Sequence, residues 1–447
     1  MLPIRSYALR RMPTAAVLSI GDELVLGQVS ERNGGWLSAE LLKLGLMVSE
    51  HRTVADDRLA ISSALRELAS RAALIVVTGG LGPTDDDLSR EALADALGTE
   101  LEEDGRALQN LLDLYRRRGR PMPAMNRKQA LRPKCAKCID NPHGTAPGVA
   151  ARLGESEVFL LPGPPNEMRP MFHDVVAPAV LVITARAGGL QLATASVHSC
   201  GLSESAAAEL IRPLMERGAN PLVGTTASGA VVTARIRAMG AAATDGALER
   251  AVQEVQRAWA PYAFGRDGLT LPAAMGEVLR RERSMLAVAE SCSGGGVGAL
   301  ITTVPGSSRW FAGGFITYSN ELKRDLCGVP SAMLAEHGAV SEEVARVLAQ
   351  GAAERCNCRF GLSITGVAGP DGGSAEKPVG LVWIGLCDRV SSGAPPNTKA
   401  RCFQLLGDRE TVRERIARVG LQWVRLAALG MGDVPLLWER PTQGVRA

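Results

Sequence analysis

The sequence predicts an α/β protein: two αβ-sandwich domains with mainly parallel sheets, joined by a small α+β module. Three observations carry that class. From Ala15 to about Ala185 short β-like runs alternate with helical stretches, and the same alternation returns from about Leu271 to Gly430. Hydrophobic residues make up 46% of the chain but aromatic ones only 4%, and 49 glycines are available for strand-to-helix turns. The length of 447 residues suits about three domains at ~150 residues each.

In the first domain, residues 14–185, strands are expected at Ala15–Ile20, Met47–Val54, Ala73–Thr78 and Val158–Leu161. Helices are expected at Asn33–Leu44, Leu59–Arg71, Leu88–Leu97, Glu102–Arg118 and Glu167–Ile183. The glycine pair in Arg186–Gly189 reads as a linker. The middle module, 190–265, shows a half-exposed strand pattern through Val231, Thr233 and Arg235, flanked by helical stretches at Ser203–Glu216 and Asp245–Trp259. Its order is β-α-β-β-α. In the last domain, 270–432, the strands are Met285–Ala289, Gly314–Tyr318, Arg359–Ile364, Gly380–Cys387 and Lys399–Leu405. Val412, Ile416, Val419, Trp423 and Leu426 then fall on one face of a final core-packing helix.

Charge and cysteine usage bound the partners. Lys+Arg 50 against Asp+Glu 47 leaves +3, which implies no nucleic-acid partner. The nine cysteines are odd in number and sit mostly in apolar runs, which suits a reduced, cytoplasmic interior. Neither Cys135/Cys138 nor Cys356/Cys358 has the second pair that a zinc site needs. No run approaches the ~20 apolar residues of a membrane helix, so no membrane is expected. Residues 1–13 carry Arg5, Arg10 and Arg11 without an apolar segment and read as a disordered tail, not a signal.

Two constellations carry chemistry. The first, T-G-G-L-G-P-T-D-D-D at Thr78–Asp87, follows an apolar strand. Gly79, Gly80 and Gly82 let backbone approach a phosphate, and a helix starts just after. Asp85, Asp86 and Asp87 would repel a phosphate unless a divalent cation lay between; helix capping is the plainer use of one of them. Asp22 and Glu23, Asn141–Gly148 and Leu161–Met168 stand at other expected strand ends, where open α/β sheets bind ligands.

The second is A-E-S-C-S-G-G-G at Ala289–Gly296 with F-I-T-Y-S-N-E-L-K at Phe315–Lys323. Ser291 beside a glycine turn, with Lys323 and no nearby histidine, is one way to attack a carbonyl carbon. An ordinary lysine titrates near 10.4, so a lysine acting as base must be held neutral by burial or a cationic neighbour. Tyr318 could orient that lysine; Thr365 and Gly366 could touch substrate, and Gly294 and Gly295 could cradle an oxyanion. Cys292 is a competing nucleophile, although adjacent side chains diverge and only one can face the substrate. Helix capping would also explain Ser291, and a solvated helix would explain Lys323.

These motifs resemble the CinA (competence/damage-inducible) family. Gly21–Leu24, Asn33, Thr78–Asp87, N-x-x-Q-A at Asn126–Ala130, G-T-A-P-G at Gly144–Gly148 and L-P-G-P-P-x-E-M at Leu161–Met168 look like its amino-terminal domain, which is similar to the molybdopterin-binding MoaB/MogA fold. The resemblance implies metal-dependent hydrolysis of ADP-ribose, with a nucleotide site at Asp22, Glu23, Asn33, Gly79, Gly80, Gly82, Thr84, Asp85, Gly144, Thr145 and Gly163. It implies a divalent metal near Asp86 and Asp87. The last domain, through the serine and lysine motifs, Pro305–Ser308, Gly338–Ser341 and Ile364–Gly380, resembles the family's nicotinamide mononucleotide (NMN) amidohydrolase domain. There the resemblance implies catalysis by Ser291, Lys323 and Tyr318, substrate contacts from Ser293, Gly294, Gly295, Asn320, Thr365 and Gly366, and no cofactor. Residues 190–265 resemble a KH-like linker module without an internal G-x-x-G loop, which implies a spacer or homodimerisation role and no nucleic acid.

Overall fold

The computed structural model describes residues 13–186, 191–389 and 395–441. The expected linker beyond Arg186 and nearly all of the expected amino-terminal tail lie outside the described residues. The chain divides into two compact units, Met1–Leu192 and Ala193–Ala447.

The first unit is built on eight strands: β1 Thr14–Ile20, β2 Met47–Val54, β3 Leu74–Thr78, β4 Leu101–Glu103, β5 Leu131–Pro133, β6 Lys137–Ile139, β7 Gly148–Leu153 and β8 Ser156–Leu161. Six of them form one sheet in the order β2-β1-β3-β8-β7-β6. Pairings from β2 to β8 are parallel; β8–β7 and β7–β6 are antiparallel. β1 and β3 are apolar almost throughout because helices cover both faces of the sheet. On one face Ile61, Leu65, Leu68 and Leu93 pack against Leu18, Ile75 and Val77. On the other, Leu37, Leu41, Phe172 and Val180 pack against Val17, Leu74 and Val76. The parallel register brings the carboxyl ends of β1, β2, β3 and β8 to one edge, and antiparallel β7 returns its first residues to the same edge.

Two expected helices differ from the structure. Glu102–Arg118 is a strand residue pair followed by the helix Gly105–Arg117: β4 pairs with β5, and the Asp104 carboxylate caps the helix by accepting from Ala107 N at 2.9 Å. Glu167–Ile183 is Pro165–Met171, a wider π turn at Phe172–Val176, then Ala177–Arg186. Pro178 has no N–H for the carbonyl four residues earlier, and the wider turn accommodates that gap. By length and composition the whole stretch Pro165–Arg186 is long and apolar enough to cross a membrane, contrary to the sequence reading; Met168, Phe172, Val176 and Val180 pack it onto the sheet.

The second unit holds two sheets. β9 Leu192–Cys200, β10 Leu222–Ser228, β11 Val231–Met239 and β12 Ala263–Arg266 form one, in the order β10-β11-β9-β12, with the helices Glu204–Leu210 and Ala247–Ala258. The expected helix Ser203–Glu216 stops short, since Pro213 cannot continue it, and Arg212–Met215 is a tighter turn. β13 Leu286–Glu290, β14 Phe311–Ile316, β15 Phe360–Gly366, β16 Leu381–Asp388 and β17 Asn397–Gln404 form the other sheet, in the order β14-β13-β15-β16-β17. Here β13 pairs in parallel with both neighbours, while β16 and β17 run antiparallel. The final helix, Arg409–Ala428, lays Val412, Ile416, Val419 and Trp423 into the core, as the spacing predicts. It also carries Gln422, whose amide donates to Cys200 O at 3.0 Å and Tyr262 O at 3.2 Å, fastening the smaller sheet to the larger.

Candidate functional site

The serine turn leaves β13 at its carboxyl end. Ser291 N donates to Ile364 O at 2.9 Å, and Gly294 N closes the turn on Ser291 O at 3.0 Å. Gly294 and Gly295 hold φ of 58° and 90°, which side-chain-bearing residues rarely adopt. The buried Glu290 carboxylate then accepts from Val297 N at 3.0 Å and Gly298 N at 2.9 Å, spanning the first turn of the helix Gly296–Thr302. Glu290 therefore anchors the turn against a helix start, where a carboxylate is favoured.

Lys323 reaches the same place from β14. The helix Asn320–Cys327 is capped by Ser319, whose Oγ accepts from Leu322 N at 3.2 Å. Its Lys323 side chain turns back, 2% exposed, and Nζ donates to Thr317 O at 2.9 Å and Tyr318 O at 3.3 Å. Thr317 N in turn donates to Glu290 O at 2.7 Å, so a short run of bonds ties the amine to the residue preceding Ser291. No carboxylate among the described residues forms an ion pair with Lys323. Burial pushes its pKa down, against weaker upward pulls from Cys292 and Glu321. Burial pushes the neighbouring Cys292 thiol up to about 12, leaving no thiolate at neutral pH. What is left is a hydroxyl and an amine whose charged form burial disfavours, residue types suited to attack on an electrophilic carbon.

Several expected contacts fall elsewhere. Tyr318 orients the lysine through its carbonyl; the residue is 58% exposed and its hydroxyl accepts from Arg409 Nη2 at 2.9 Å. Ser293 is fully buried and its Oγ has no hydrogen-bond partner. The Gly294 N–H is spent on the turn and cannot serve an oxyanion. The Thr365 hydroxyl donates to Ala339 O at 2.7 Å, and a Cβ on Gly366 would meet Leu381 O at 2.7 Å, so both serve packing. Asn320 is exposed on the first turn of its helix, open to a ligand. Missing from the sequence reading are Arg409, which also donates to Gly369 O at 2.9 Å, and Arg413, which holds Ser293 O from Nε at 3.2 Å and Nη2 at 3.0 Å. Their i, i+4 spacing on one helix face was the available signal.

In the amino-terminal unit the strand ends enclose a cleft of about 620 Å³. It is lined by Glu23, Asn33, Gly79, Gly80, Gly82, Thr84, Asp86, Asp87, Thr145 and Gly163, so most of the expected nucleotide residues come together. Asn33 pins two walls, donating to Thr78 Oγ1 at 3.0 Å and Gly163 O at 2.7 Å. Asp22, Asp85 and Gly144 do not line it. Asp22 instead exchanges backbone-to-carboxylate bonds with Asp56, at 2.9 and 3.1 Å, and Gly144 lies against the Glu167 carboxylate. Asp87 differs from its expected role at a metal. Its Oδ1 accepts from Gly82 N at 2.6 Å and its Oδ2 from Thr84 N at 2.9 Å and from the Thr84 hydroxyl, which makes it the strut of the loop. Sequence reasoning missed Asp56, which lines the cleft at the end of β2; burial, with Asp22, Glu23 and Asp86 adding to it, pushes its carboxyl up. Among the described residues no three acidic, histidine or cysteine side chains are grouped to hold a metal by themselves.

Known proteins match the chain along its length. Residues 269–428 match the family described as the CinA C-terminal domain, 194–265 the damage-inducible protein CinA KH domain, and 16–181 the "Probable molybdopterin binding domain". A CinA-like protein of Citrifermentans bemidjiense is 41% identical over 421 residues, covering 94% of this chain and 99% of its own. One from Synechococcus sp. (strain RCC307) is 40% identical over 421 residues, covering 93% and 96%. Among solved structures, the protein CinA of Thermoplasma acidophilum, titled as of unknown function, is 31% identical, covering 37% of this chain and 97% of its own with a TM-score of 0.35.

Proposed function

The chain belongs to the CinA family, and from that premise we propose that its carboxy-terminal domain is an amidohydrolase converting NMN and water to nicotinate mononucleotide and ammonia. The observation that carries this reading is the environment of Lys323. A neutral amine has two N–H donors and one lone pair. Both donors find carbonyls, at Thr317 and Tyr318, which leaves the lone pair to take a proton; among the described residues Lys323 Nζ makes no hydrogen bond to Ser291 Oγ, and the approach of the two is part of the proposed reaction. An ammonium there would have a third donor to satisfy in a buried place without a carboxylate.

In the proposed reaction Ser291 Oγ attacks the carboxamide carbon as its proton passes to Lys323 Nζ. The tetrahedral adduct collapses, the C–N bond breaks, and the lysine proton leaves with the amine as ammonia. Water then attacks the acyl-serine, giving its proton to Lys323, and the nicotinate nucleotide departs as Ser291 recovers a proton. The pyridinium of the substrate would further favour the neutral lysine. Arg409, holding the Tyr318 hydroxyl, would offer a positive charge to the substrate phosphate. Ammonia release from NMN by the full chain, and its absence in Ser291→Ala, tests the assignment.

The amino-terminal cleft supports a second activity on ADP-ribose, because a glycine loop and carboxylates share one wall. Asp86, with Asp56 or Glu23, would hold a divalent cation in this cleft, one or two carboxylates being what such a cation needs from protein. Bound there, it would neutralise charge developing on the phosphates. A binding-only role for a pterin or nucleotide is the alternative. Cleavage of ADP-ribose that stops when EDTA is added favours hydrolysis; binding without cleavage favours the alternative.

A further inference from the structure

Arg90 is an unusual arginine. It lies on the second residue of the helix Ser89–Leu97, directly behind the glycine–aspartate loop, and is 1% exposed. Its Nη2 donates to Leu81 O at 2.8 Å, but Nε and Nη1 are buried with no partner. Among the described residues it joins no ion pair; Glu91 and Asp87 act on it only from beyond ion-pair distance. Burial lowers its pKa to about 10, so the guanidinium stays charged at neutral pH. Buried arginines are normally paired, because an uncompensated charge in the interior is costly.

The placement accounts for that cost. Leu81 lines the cleft, and its carbonyl accepts from Gln129 Nε2, at 3.3 Å, as well as from Arg90. Gln129 Nε2 also donates to Thr145 Oγ1 at 3.3 Å, on another wall, and Asn126 Nδ2 holds Gln129 Oε1 at 2.8 Å. The N-x-x-Q motif, otherwise without a use, is thus the brace between two walls, and Arg90 shares its central acceptor. The cleft itself is acidic, with Glu23, Glu31, Asp56, Asp86, Asp87 and Glu167 on its lining against the single cation Arg32. An anionic ligand there needs a positive potential from somewhere, and a fixed charge in a low-dielectric interior projects further than one in water.

We propose that Arg90 is a positioning residue for a diphosphate-bearing ligand, holding the Leu81 segment of the loop and adding from behind it positive charge to that of Arg32 on the cleft's lining. The proposal rests on the reading of this cleft as a diphosphate site. It is tested on the full chain with ADP-ribose as the probe, by titrating wild type, Arg90→Met and Arg90→Lys at several salt concentrations, with thermal melts alongside. Arg90→Met is expected to weaken binding by about tenfold or more at every salt concentration, because a buried charge is screened little. Its melting temperature should not fall, since an unpaired charge is replaced by an apolar chain of similar length; Arg90→Lys should recover most of the affinity. Unchanged affinity in Arg90→Met overturns the proposal, as does a loss that comes with a lower melting temperature or that vanishes at high salt. If the wild type does not bind ADP-ribose at all, the reading of the cleft falls and takes the proposal with it.

Discussion

Replacing Lys323 with methionine separates a lysine whose pKa burial lowers from an ordinary one, because only the first makes the stability difference depend on pH. Folding lowers the pKa of Lys323 by burial, while in the unfolded chain it titrates near 10.4. Below the folded value both states are protonated, and the wild type bears the full cost of a buried ammonium. Between the two values the unfolded chain binds one more proton than the folded one. Stability therefore rises with pH across that window, by about 1.4 kcal/mol per pH unit, and levels off above the unfolded value. Lys323→Met has no such group. It also leaves the Thr317 and Tyr318 carbonyls short of a donor, at about 1–3 kcal/mol each, a cost that does not change with pH. Urea melts of both proteins from pH 6 to pH 10 cancel every other titration when subtracted. The difference should climb with pH, and deamidation of NMN by the variant should drop by about 10²–10⁴-fold, the usual contribution of a general base. Parallel stability curves, or a variant that keeps its rate, would refute the reasoning.

Three other outcomes follow from the same geometry. The NMN deamidation rate of the wild type should rise with pH on its acid side, as Lys323 loses its proton; a rate that falls over that range contradicts a lysine base. Glu290→Ala strips two first-turn N–H groups of their acceptor and should cost about 1–3 kcal/mol in urea melts, with ammonia release falling as the serine turn loosens; an unchanged urea midpoint would remove the anchoring role. Asp87→Ala should lower stability by about 1–2 kcal/mol, because Gly82 and Thr84 lose their acceptor. The exposed Asp86→Ala should leave the melt within about 0.5 kcal/mol while weakening any metal-dependent cleavage of ADP-ribose, so equal effects in both assays would merge the two roles.

Much of this fold was legible because its central strands are short apolar runs buried on both faces, as at Leu74–Thr78 and Leu286–Glu290. Three-residue strands such as Leu101–Glu103 carry no such signal; their pairing with Leu131–Pro133 is a tertiary choice that overrode local helical preference. The serine turn, Lys323 and the glycine loop were visible because each is local and follows a strand. Arg409, Arg413 and Asp56 were not, since what defines them is a partner brought near by topology; Arg90 was not, since what defines it is burial without an ion pair. Tyr318 to Arg409 spans 91 residues, and Ser293 to Arg413 spans 120. Ser293 and Thr365 sit in the right motifs but are buried, and Gly366 backs onto Leu381 O, details that only the packing reveals.

The account turns on which atom takes the acyl group. Rapid quenching of the full chain with NMN, followed by digestion and fragment mass spectrometry of the peptide holding Ser291 and Cys292, reads this directly. A nicotinoyl nucleotide ester on Ser291, missing from Lys323→Met, is the predicted result. The same adduct on Cys292, or turnover that leaves Ser291 unmodified under every quench time, would contradict it.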